Sequence, residues 1–256
     1  MRGWSQCVAT VARVAPRVAT YGVVARVASR GLSAARVLLP QACALCRAPS
    51  AAALLCADCI AALPALGPAC PLCALPVDDA GPCAPCRRHG RAWQRAIGAW
   101  LYAFPVDRLV QQLKYGRRLA LADALGAGLA AAVGCAGPPW PDAIVPLPLA
   151  PARQRERGFN QSQLIARTLA RQLGLPLVHG LVRVRDDGPQ AALAGPRRVA
   201  NIHGAFAARV ALDGLHVAIV DDVMTTGATL AAATRAARDA GAARVDVHVV
   251  ARTLPP

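Results

Sequence analysis

Residues 216–230 read HVAIVDDVMTTGATL. Four apolar residues, Val217 to Val220, run together without alternation, the pattern of a strand covered on both faces. Two adjacent carboxylates, Asp221 and Asp222, close the run although like charges oppose each other. Thr225, Thr226, Gly227, Ala228 and Thr229 then form a tight loop leading into a helix expected over 228–239. A strand of this kind passing at once into a helix is half of a βα unit, from which parallel sheets are built. Ligands of such sheets gather beyond the carboxyl ends of the strands, where this stretch lies.

The loop has a readable chemistry. Backbone N–H groups ahead of a helix N-terminus form an anion cradle, Gly227 permits close backbone approach, and the threonines add hydroxyl donors. The loop therefore asks for a phosphate, whereas the two carboxylates ask for vicinal hydroxyls or a metal-bound sugar. One ligand carrying a 5′-phosphate beside a ribose diol satisfies both. A plain βα turn with a capping threonine does not account for the acid pair, the glycine and the hydroxyls together.

Working outward, strand and helix alternate from about residue 91. A strand is expected over 96–104, then a helix bearing Val106, Leu109, Val110 and Leu113 that runs out at Gly116, and a second helix over 119–133. A short strand over 142–149 enters a proline-braced loop. The next helix carries Leu164, Ile165, Thr168, Leu169, Gln172 and Leu173 on one face, with Asn160 placed to cap it and Gln163 at the capping-box position. A last strand covers 244–251. The pattern predicts an α/β fold with a largely parallel sheet flanked by helices.

The 256 residues suffice for one α/β domain and a smaller module. The formal charge of +15 suits a polyanionic partner such as nucleic acid, a phosphorylated metabolite or a membrane surface. Cations are almost all arginine; Lys114 is the single lysine, which marks it for attention. Residues 1–36 carry Arg2, Arg13, Arg17, Arg26, Arg30 and Arg36 with no acid, and read as a poorly ordered basic extension rather than a secretory signal. No uncharged apolar run of about 18 residues is present, so no transmembrane helix is expected.

Eight of the ten cysteines form four Cys-x-x-Cys pairs: Cys43 and Cys46, Cys56 and Cys59, Cys70 and Cys73, Cys83 and Cys86. Nine residues separate the first pair from the second, and nine the third from the fourth. Two such turns complete a tetrahedral four-thiolate site, the closed geometry of structural Zn2+. Sequential and interleaved pairing both fit the spacing, sequential being the simpler, and the count is one or two sites. A disulfide framework is disfavoured in a reducing cytoplasm. A segment of this size has too little core to fold unaided, so metal binding would supply the missing free energy.

VAIVDDVMTTGAT is very similar to the phosphoribosyl-pyrophosphate (PRPP) motif of type I phosphoribosyltransferases. The ordered series of cysteine pairs, LKYGRR, VPLPLAPARQRERGFNQSQLIA, PQAALAGPRRVANIHGAF and the PRPP motif resembles the ComF/GntX family over about residues 37–253. The resemblance implies a double zinc ribbon over 37–90 ahead of a phosphoribosyltransferase-like domain over 91–256, in a cytoplasmic protein linked to DNA uptake in natural transformation. By it, Asp221 and Asp222 are the catalytic pair on the ribose hydroxyls, and Thr225, Thr226, Gly227, Ala228 and Thr229 hold the 5′-phosphate. Pro146, Leu147 and Pro148 lie where this fold binds pyrophosphate, with Mg2+ held mainly by ligand oxygens and water. Lys114, Arg153, Arg155 and Arg157 are candidate pyrophosphate clamps. The stretch 153–161 is a candidate cover that excludes water. The stretch DDGPQ, 186–190, departs from the Thr-containing segment usual before the position of Gln190. PRPP is the implied ligand, with single-stranded DNA and other competence proteins as further partners. A binding protein that senses PRPP or holds single-stranded DNA is the alternative to an enzyme. The basic stretches lack an aromatic stacking platform, which counts against a dedicated single-strand binder.

Overall fold

In the computed structural model, residues 41–50, 54–79, 81–185 and 204–255 are described. The extension 1–36 and Gln190 lie outside them.

The strand quoted at the outset is β7 (His216–Met224). It pairs in parallel with β4 (Ala143–Pro146) on one side and β8 (Arg244–Arg252) on the other. β3 (Arg95–Leu101) adds outside β8, giving a four-stranded parallel sheet in the order β3-β8-β7-β4. Val217 to Val220 are fully buried because both faces of the sheet are covered, which is why the run shows no alternation.

Strand parity sorts the core. Ala218 and Val220 face a layer made by α3 (Val106–Lys114), α4 (Leu121–Ala136) and α6 (Gln161–Leu173). Val217 and Ile219 face the layer of α7 (Ala228–Asp239). The helices are rich in small residues, so they sit close to the sheet. At Gly128 of α4, a Cβ would fall 1.8 Å from the Trp100 ring of β3, so only glycine fits. Asn160 caps α6 as expected, accepting from the backbone N–H of Ser162 and Gln163. Its amide also donates to the Leu147 carbonyl at 3.0 Å, tying the helix start to the proline loop.

Three features differ from the sequence reading. β7 does not stop at the aspartates but continues to Met224, because Asp221, Val223 and Met224 still pair with Val249, Ala251 and Arg252 of β8. Backbone pairing prevails there over the charge of the side chains. The stretch after the proline loop forms a short helix, α5 (Pro151–Arg157), with Pro151 in its first turn and left-handed Gly158 ending it. β5 (Leu181–Arg183) and β6 (Phe206–Ala208) pair antiparallel outside the main sheet.

The cysteine-rich segment contains a two-stranded β1 (Gln41–Ala42) and β2 (Pro49–Ser50), α1 (Ala57–Ala61) and α2 (Ala84–His89). It docks on the edge of the sheet: Ala65 bridges Trp100 of β3, Leu101 N–H donates to the Pro64 carbonyl, and Ala96 N–H donates to the Pro71 carbonyl at 2.7 Å. These contacts occupy an otherwise open strand edge. No helix among the described residues is long and apolar enough to cross a membrane.

Candidate functional site

The carboxyl ends of the parallel strands carry the acid pair. Alternation along β7 turns Asp222 toward the α3 layer. There the Lys114 ammonium, at the last residue of α3, meets its carboxylate at 2.8 Å. Asp221 accepts from the Ser162 hydroxyl at the start of α6 and from the Asp222 N–H, both at 2.8 Å. Burial first, and the neighbouring Asp222 charge second, push the Asp221 carboxyl up from 3.8 to about 7; Ser162 and Lys114 pull against that rise. Burial pulls the Lys114 ammonium down, but Asp222 and Asp221 outweigh it and hold the group above its ordinary value. Lys114 therefore stays charged and neutralises half of the pair.

Beyond Met224 the chain turns sharply. Thr225 and Thr226 are exposed, Gly227 is buried with φ +82°, and α7 begins at Ala228. The Thr226 hydroxyl accepts from the Ala228 N–H at 3.3 Å, satisfying one donor of the helix start. Gly227 has two separate reasons to be glycine: its left-handed backbone, and the Trp93 ring, which a Cβ would meet at 2.8 Å. Thr229 lies in the first turn of α7.

A cleft of about 600 Å³ opens beside the proline loop. Pro146, Pro148, Asn160, Gln163, Arg155 and Arg183 are among its lining. Leu147 instead turns into the core, and its N–H donates to the Val220 carbonyl. The four candidate clamps do not converge. Lys114 is on the acid pair, Arg155 lines the cleft, and Arg153 is exposed on α5. Arg157 lies over the Tyr115 ring, 5.3 Å from its centroid, and donates to the Gln161 amide oxygen. The start of α6 links the two halves of the site, with Asn160 and Gln163 on the cleft and Ser162 on Asp221. Sequence reasoning missed Ser162 and Trp93. Ser162 stood inside the quoted GFNQSQ stretch, and Trp93 had no local signal.

The cysteines assemble in sequence order into Cys43, Cys46, Cys56, Cys59 and Cys70, Cys73, Cys83, Cys86, the sulfur atoms of each group all within 4.8 Å of one another. Sulfur separations of 3.7 Å (Cys46 to Cys56) and 3.6 Å (Cys73 to Cys83) match the tetrahedral edge of about 3.8 Å that Zn–S bonds require. Backbone N–H groups point at the sulfurs, as in Cys56 N–H to Cys43 and Cys83 N–H to Cys70. Burial pushes the Cys43 thiol up, but backbone donors at Cys46, Cys56 and Leu45 outweigh it and bring it down to about 6. The donor set fits structural zinc at two sites.

Residues 160–254 match the phosphoribosyl transferase domain family, and residues 34–87 match the double zinc ribbon domain family. The chain is 38% identical to DNA utilization protein YhgH of Salmonella typhi over 224 residues, 84% of this chain and 99% of that protein. It is 32% identical to Competence protein F of Haemophilus influenzae over 178 residues, 66% of this chain and 78% of that one. Among solved structures, a purine phosphoribosyltransferase from Pyrococcus horikoshii is 18% identical, over 52% of this chain and 82% of that chain, with a TM-score of 0.32.

Proposed function

The chain belongs to the ComF/GntX family, and from that premise we propose that it binds PRPP with Mg2+ and transfers the phosphoribosyl group, acting in the handling of DNA during uptake. The observation that carries this reading is the juxtaposition at the end of β7: an acid pair with Asp222 buried and Asp221 half-buried, then a left-handed glycine, then a helix N-terminus. The 5′-phosphate takes the 225–229 loop, and the ribose hydroxyls donate to Asp221 and Asp222. The pyrophosphate takes the Pro146–Pro148 loop and the cleft, with Arg155 and Arg183 in its lining.

Lys114 pairs with the Asp222 carboxylate in this scheme, while Asp221, its carboxyl raised to about 7, accepts from a sugar hydroxyl. Mg2+ held by pyrophosphate oxygens and water offsets leaving-group charge when bound. Hard oxygen donors at the acid pair suit that cation. The functional organisation is a basic extension over 1–36, a zinc-ribbon module over 37–90 and the transferase fold over 91–256. Reduced zinc thiolates suit a cytoplasmic setting, and the charge of +15 suits single-stranded DNA as a further partner.

The test is calorimetric titration of the zinc-loaded protein with PRPP and Mg2+, beside the Asp221→Ala, Asp222→Ala variant. Saturable binding that the variant loses supports the reading. Absence of binding by the parent protein rejects it and leaves a phosphoribosyltransferase-like scaffold.

A further inference from the structure

The second four-cysteine group and the 224–227 segment of the proposed phosphate loop are held by the same three side chains. Arg91 donates through Nε to the Cys86 sulfur at 3.4 Å and through a terminal nitrogen to the Thr226 carbonyl at 3.5 Å. Arg252, buried, donates through Nε to the Cys73 carbonyl at 2.8 Å and through a terminal nitrogen to the Met224 and Thr225 carbonyls at 2.9 and 2.5 Å. Trp93 donates its indole N–H to the Leu72 carbonyl at 2.7 Å, inside the Cys70–Cys73 turn, while its ring lies directly under Gly227. Arg91 in turn lies over the Trp93 ring.

The direction of these bonds matters. In a trans peptide the carbonyl and the following N–H point in opposite directions, and the peptides of this loop are not among the cis bonds. Gripping the carbonyls of Met224, Thr225 and Thr226 from the knuckle side therefore aims the N–H groups of Thr225, Thr226 and Gly227 away from it, toward an anion. The acceptors that anchor the grip, Leu72 O and Cys73 O in the Cys70–Cys73 turn and Cys86 Sγ in α2, belong to one four-cysteine group whose geometry four sulfur–metal bonds would fix. The first group has a different setting: Cys43, Ala44 and Leu55 pack into the helical core layer.

We propose that Arg91, Trp93 and Arg252 are positioning residues that couple metal binding at Cys70, Cys73, Cys83 and Cys86 to the shape of the 224–227 anion loop. This rests on the reading of that loop as a phosphate site. Coupling between two ligands is reciprocal: a phosphate ligand that needs the ordered loop must tighten zinc at the second group by the factor by which zinc tightens the ligand.

The experiment uses the full chain with two zinc ions bound and ribose 5-phosphate as probe, without Mg2+. Zinc is partitioned against a chromophoric chelator with and without the sugar phosphate, and binding of the sugar phosphate is measured separately by calorimetry. One of the two zinc ions is expected to be held about tenfold more tightly when the probe is bound. In Arg91→Met, which keeps an unbranched chain over Trp93 but loses both donor bonds, that gain is expected to shrink severalfold while two zinc ions remain bound, the Arg252 and Trp93 bonds being intact. If ribose 5-phosphate binds and neither zinc tightens, or if Arg91→Met keeps the full gain, the coupling is overturned and the phosphate reading survives. If ribose 5-phosphate does not bind at all, both fall together.

Discussion

Replacing Asp221 by asparagine should stabilise the protein, and the gain should depend on pH in a defined direction. The Asp221 carboxyl is raised from 3.8 to about 7 in the fold, first by burial and then by Asp222. Between those values the unfolded chain has released a proton that the folded chain keeps, so stability falls as pH rises through the window and is lowest above pH 7. The shift corresponds to a cost on the order of 4 kcal/mol at pH 8. Asparagine retains an oxygen to accept from Ser162 and from the Asp222 N–H, and removes the charge. Urea unfolding of parent and variant at pH 5.5 and pH 8 isolates this one group. The stabilisation of the variant should be larger at pH 8 by about 2 kcal/mol. An equal difference at both pH values, or a variant less stable at pH 8, would refute the assignment of Asp221 as a carboxyl whose ionisation the fold disfavours. The same position is proposed to bind the ribose, so stability and function are opposed there.

Three further outcomes follow from the packing around the site. Lys114→Met leaves Asp222 buried without its cation and should destabilise by about 3 kcal/mol at pH 8, measured by urea unfolding; Asp222→Asn in the same chain should restore most of it. Gly227→Ala forces a Cβ into the Trp93 ring at a left-handed position, so Tm should drop by an amount corresponding to about 2 kcal/mol, and Trp93→Leu should recover part of it. His248 is buried in the sheet, and burial pulls its imidazole down to about 4; because the fold keeps it neutral, its stabilising effect is full above pH 6.5 and is lost as pH falls toward 4. His248→Leu should remove about 2 kcal/mol of acid sensitivity between pH 7 and pH 5, read from urea unfolding at those two pH values.

The local signals were legible because each depends on neighbours in sequence. The apolar run of β7, the helical spacing of Leu109, Val110 and Leu113, the Asn160 cap and the nine-residue interval between cysteine pairs all translate directly into backbone geometry. The same was true of α5, where Pro151 and Gly158 mark a start and a stop that the sequence reading passed over for a loop. The true end of β7 was not legible locally, because the side chains of Asp221 and Asp222 signal a strand end while β8 continues to pair beside them as far as Met224.

Residue types and spacings therefore determined the α/β class, the paired metal knuckles and the stretch that carries the acids and the loop, since periodicity, capping and turn chemistry act within a few residues. Tertiary structure alone decided what each of those residues touches. The single lysine was conspicuous, yet its pairing with Asp222 depends on how α3 crosses the end of β7. Trp93 under Gly227, Ser162 on Asp221 and Arg252 between Cys73 and Thr225 join segments far apart in the chain. Such contacts arise only after helices and sheet have packed, because close packing selects among the many partners that a pattern of residue types leaves open.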